Sequence, residues 1–184
     1  MTLVFILVVI AIVAFLFSKN ISAFFYKRMK KENPSPFDST NFQIAQRFEL
    51  KKDYDRALTA YSHLIEEFPD FDAAYISMAD IYKRKKEYSK AVECLNRLYE
   101  KNKSPDTLFL ICEIYMAEGN IDAVEGFLKN HYNELTEYLQ IIESYLKAKR
   151  NNDSEALTHL KILAGSEDVK DYIRLKAKRV INYI

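Results

Sequence analysis

The residues able to do chemistry are few and scattered. The three histidines, His63, His131 and His159, share no spacing with one another or with a nucleophile. A histidine acts as base or metal ligand only beside a partner held at fixed range. Cys94 and Cys112 are not a C-x-x-C pair, which excludes a zinc site of the usual spacing. No glycine-rich phosphate loop, G-x-S-x-G or H-E-x-x-H occurs. Carboxylates are many, 26 in all, but at helical spacing they form solvated faces. The pattern therefore predicts no enzyme, no cofactor and no metal. Lys83-Arg84-Lys85-Lys86 has the form of a nucleic-acid or nuclear signal. It also falls where a helix should end, a place where the helix dipole favours positive charge, and a solvated helix end is expected.

Composition points to helices. The 184 residues hold three Gly and four Pro, too few for the turns of an all-β fold. Charge is uneven. Residues 1–31 carry five bases and no acid, residues 32–168 a net of −8, and residues 169–184 a net of +4. A domain this acidic is a poor nucleic-acid binder. Two cysteines are no disulfide framework, and both fall at apolar helical positions, so buried free thiols are expected.

Leu3–Phe17 is apolar without a break. As a helix it spans about 23 Å, less than the roughly 30 Å of a bilayer core. Reading on through Tyr26 makes it long enough to span. Lys19 then lies near an interface, and Lys27, Arg28, Lys30 and Lys31 flank the far side. With every base on that side, the remainder of the chain is expected on the cytoplasmic face. The flank either fixes topology or also holds anionic lipid. A cleaved secretory signal would have a basic start and a small-residue cleavage site, and neither is present.

Beyond the linker 32–37, Ile44, Ala45, Phe48, Tyr54, Ala57, Tyr61 and Leu64 are answered 34 residues later. The answering residues are Met78, Ala79, Tyr82, Tyr88, Ala91, Leu95 and Leu98. A fixed period with size kept at each position predicts stacked helical hairpins. The units fall at 38–70, 72–103 and 104–131. In the third, Cys112, Tyr115, Ile121, Val124 and Leu128 keep the pattern at a spacing of 33. Gly126 lies inside its second helix, where a close helix contact is expected. Residues 132–165 form a degenerate fourth hairpin. Residues 166–184 form an amphipathic helix that either caps the stack or lies on the membrane.

These residues resemble the tetratricopeptide repeat family over about 38–131. That pattern has a small residue followed by an aromatic, then Gly-Asp-Tyr or similar, Ala, an aromatic and Pro. The first unit matches with Ala45, Phe48, Tyr54, Ala57, Tyr61 and Pro69; the second departs at Leu95 and Lys103. The resemblance implies an all-α solenoid, which here would follow the transmembrane helix expected from the apolar run. It also implies a concave groove lined by Phe42, Gln46 and Glu49, by Ile76, Asp80 and Lys83, and by Phe109, Glu113 and Met116. Apolar residues with acids suit an apolar partner segment bearing a basic residue, such as a helix. The chaperone-tail clamp of one subgroup is not implied, because its positions hold Phe42, Gln46, Ser77, Asp106 and Leu110. The expected function is a single-pass, membrane-anchored scaffold that binds partner proteins. An exported periplasmic component and a self-associating structural unit are the alternatives, and the oligomeric state stays open.

Overall fold

The structure is a computed structural model and describes residues 35–184. The expected anchor, its basic flank and residues 32–34 lie outside the described residues. Within them, no helix is long and apolar enough to cross a membrane.

The described residues are all-α, with nine α-helices and no strand. They are α1 Thr40–Leu50, α2 Tyr54–Glu67, α3 Asp72–Arg84, α4 Tyr88–Asn102 and α5 Pro105–Glu118. Then follow α6 Ile121–Asn130, α7 Leu139–Asn151, α8 Ser154–Gly165 and α9 Asp171–Ile181. Short 3-10 turns cover Pro36–Asp38 and Thr136–Tyr138. The first lies at the end of the expected linker, and the Ser39 N–H closes it by donating to the Pro36 carbonyl at 3.2 Å.

The period has a direct physical basis. Ala45, Ala57, Ala79, Ala91, Cys112 and Val124 are at most 2 % exposed. Small side chains at the crossings let the two helices of a hairpin approach closely. Tyr61, Leu64, Leu95 and Leu98 fill the space beside those crossings and are equally buried. Each such side chain contributes roughly 1.5–3 kcal/mol on burial. Two apolar clusters result, one around α1–α3 and one from α3 to α9, with Ile65, Tyr82 and Cys94 packed on both.

The hairpin turns repeat as well. In the first, the Asp53 N–H donates to Phe48 O and Lys52 has φ 58°. In the second, the Glu87 N–H donates to Tyr82 O and Lys86 has φ 61°. In the third, the Asn120 N–H donates to Tyr115 O and Gly119 has φ 77°. Each is a left-handed helix stop that satisfies the last carbonyls. Caps on the following helices come from Asp53, which accepts from Arg56 N, and Asn120, which accepts from Ala123 N. Asp153 caps α8 in the same way.

Gly126 is exposed, and a β-carbon there would meet nothing within 4 Å. It is a tolerated glycine rather than the close contact expected. On α7, Ile141, Ile142 and Tyr145 share one face and are fully covered.

Candidate functional site

Helices α1, α3 and α5 carry the side chains expected on the concave face, and the structure divides them. Phe42, Glu49, Asp80 and Lys83 are half-buried, Gln46 is exposed and Ile76 is 40 % exposed. Phe109 and Met116 are at most 1 % exposed, and Glu113 is 3 % exposed. The third-unit residues are therefore interior rather than on an open surface.

The open part holds two clefts. One, of about 510 Å³, lies between Phe42, Gln46, Glu49, Tyr61, Ser77 and Arg84. The other, of about 290 Å³, lies between Glu49, Ile76, Asp80, Lys83, Glu113 and Arg179. Phe42 is held by edge contacts to Phe37 and Phe71, with ring centres 5.3 and 5.5 Å away. Tyr61 donates to Glu49 Oε2 at 2.9 Å and fixes that carboxylate. Its hydroxyl is pushed up to about 12, chiefly by burial. Asp80 accepts from Arg84 Nε at 2.7 Å and pairs with Lys83 at 3.1 Å. Burial works to raise the Asp80 carboxyl, but Lys83 and Arg84 outweigh it and hold the group below the usual range.

The filled part is occupied by α9. Lys176, only 9 % exposed, donates to Asp106 Oδ1 at 2.5 Å. The same ammonium lies 4.6 Å from the Phe109 ring centre and 4.5 Å from that of Tyr138. Tyr138 also donates to Asp106 Oδ1, at 2.8 Å. Burial pushes Asp106 up, and the Lys176 and Tyr138 hydrogen bonds overcome it, leaving the carboxyl lowered. Arg179 grips Glu113 with both Nε and Nη2, the first bond being 2.8 Å. Burial dominates at Glu113 and raises its carboxyl despite Arg179 and Lys83. Burial lowers Lys83, but Tyr183, Asp80 and Glu113 together raise it.

Asp106, Tyr138, Lys176, Arg179 and Tyr183 were not among the expected groove residues. The one signal for them was charge: a basic segment at 169–184 against an acidic array. The mixed readings of residues 166–184 also meet the structure here. Ala177 and Val180 are fully buried, and α9 packs on α8 and α7. Leu175, at 60 % exposed, faces outward.

The other candidate groups stay apart. His63 meets Glu66 at 3.3 Å, His131 meets Glu134 at 3.0 Å, and His159 meets Ser144 at 2.9 Å. Among the described residues, no group of three or more His, Cys, Asp and Glu side chains is placed to hold a metal. Cys94 and Cys112 are free thiols, and burial raises both. In the basic run, Lys85 pairs with Asp55 at 2.6 Å and Arg84 with Asp80, so its charge is partly spent within the fold. Lys19, Lys27, Arg28, Lys30 and Lys31 lie outside the described residues.

Residues 50–103 match the family model described as Tetratricopeptide repeat. No curated protein matches the chain. The matched stretch begins at the last residue of α1 and runs through α2, α3 and α4. Its crossings at Ala57, Ala79 and Ala91 are the buried small positions that set the stack. Residues 50–103 are thus similar to the tetratricopeptide repeat, and the helical hairpins stacked around them are consistent with that family.

Proposed function

We propose that the chain is a membrane-held scaffold that binds partner proteins along the concave face of its first two repeat units. Tetratricopeptide repeats are in general protein-interaction modules rather than catalysts. The observation that carries the reading is Ile76, a large apolar side chain 40 % exposed that lines the smaller cleft with Asp80 and Glu49. An exposed apolar anchor rimmed by acids suits a partner segment that is apolar with a basic residue. The apolar stretch Leu3–Phe17, read on through Tyr26, and the basic residues Lys19, Lys27, Arg28, Lys30 and Lys31 support an anchor with the repeats on the cytoplasmic side. Tethering raises the local concentration of whatever the groove selects.

The test is crosslinking capture from membranes, comparing the intact chain with Phe42→Glu plus Ile76→Glu. Partners lost from the variant, with helix content unchanged, support the groove. Partners retained at full yield contradict it. The mass of the mature amino terminus tests the anchor: removal of a peptide near Ala23 would favour export instead.

A further inference from the structure

The segment 171–184 lies on the concave face as a bound helix would. It meets two acidic side chains of α5. Lys176 meets Asp106 and Arg179 meets Glu113. Its partners rise along α5 in the same order as its own residues, so it runs parallel to α5.

The hold on this helix differs from the hold on its neighbours. In α7 the buried side chains include Ile141, Ile142 and Tyr145. In α9 they are Ala177, Val180 and Lys176, and no side chain caps its amino end. Tyr172, Ile173 and Ile181 also pack on the apolar core, and α9 lies closely against α8, but toward α5 its hold is made by charge pairs and a cation over two rings. Such contacts can be reproduced by another helix with the same groups. A partner without bases would leave Glu113 buried and unpaired, which a low-dielectric site penalises.

We propose that α9 is a built-in ligand of the third unit, and that the partner which displaces it is a basic helix of the same pattern. That pattern is Lys and Arg three residues apart. The bases seat on Asp106 and Glu113. The proposal rests on the concave face being the protein-binding surface. It adds that the third unit is closed until a competing helix arrives, so the accessible groove lengthens on binding.

The probe is a labelled peptide of residues 169–184, titrated into the full-length chain in mild detergent. Wild type is compared with Arg179→Glu, whose own helix competes less. The peptide is expected to bind Arg179→Glu at least about tenfold more tightly than wild type. Hydrogen exchange on wild type needs no variant: α9 amides are expected to exchange at least about tenfold faster than those of α5, by local opening. Equal affinity for the two chains, or α9 amides exchanging at the α5 rate, overturns the proposal and makes α9 a fixed part of the stack. Partner capture through Phe42 and Ile76 is read separately, so either outcome there leaves this result distinct.

Discussion

Ile76 and Phe109 hold the same position in neighbouring repeats, yet one is 40 % exposed and the other fully buried. Asp80 and Glu113 are a second such pair. Asp80 is half-buried among bases of its own helix, and Glu113 is buried and gripped by Arg179 from α9. The repeat decides which way these side chains point. What covers them is decided by a helix 66 to 70 residues further along the chain. Repeat position alone is therefore a poor guide to accessibility, and the concave face is two surfaces rather than one.

The sharpest way to break that comparison is truncation at the paired position. Phe109→Ala is expected to cost about 3–5 kcal/mol, the range for a fully buried aromatic, whereas Ile76→Ala should cost under about 1 kcal/mol. Urea unfolding of both variants measures the gap, and similar losses would erase the distinction. Next come the lysines. Removing the Lys176 side chain strips a cation and its stem from Phe109 and Tyr138, for about 1–2 kcal/mol. Lys83→Ala, in the open part, should change stability by less than about 0.5 kcal/mol.

The paired carboxylates should titrate with opposite sign. Asp80 is lowered, so its contribution is present above the ordinary aspartate range and is lost as pH falls through the depressed value. Glu113 is raised, so its ionised form costs stability, and that cost is relieved as pH falls through the raised value. Wild type should thus gain on Glu113→Gln as the pH is lowered from neutral, and lose its advantage over Asp80→Asn in acid. Stability against pH for the three chains checks both signs. The smallest effect lies away from the groove. Gly126→Ala should stabilise by about 0.5–1 kcal/mol, because the site is an exposed helix interior with open space for a methyl group.

Most of the stack was legible because its information is local and periodic. Ala45, Ala79 and Cys112 mark crossings that only small residues allow, and Asp53 and Asn120 cap the helices they precede. The filling of the third unit was not, because Lys176 and Arg179 belong to no repeat and find Asp106 and Glu113 only after the chain has turned four more times. Gly126 misled for a simpler reason: a glycine in a helix has the same sequence signature whether it touches a neighbour or faces water.

Hydroxyl-radical footprinting of the full-length chain tests the two-surface account most directly. Oxidation is expected at Ile76 and Phe42, with Phe109, Tyr138 and Met116 protected, although methionine is intrinsically the most easily oxidised of these. Labelling of Met116 and Phe109 at rates matching Ile76, in a chain that keeps its helix content, would contradict it.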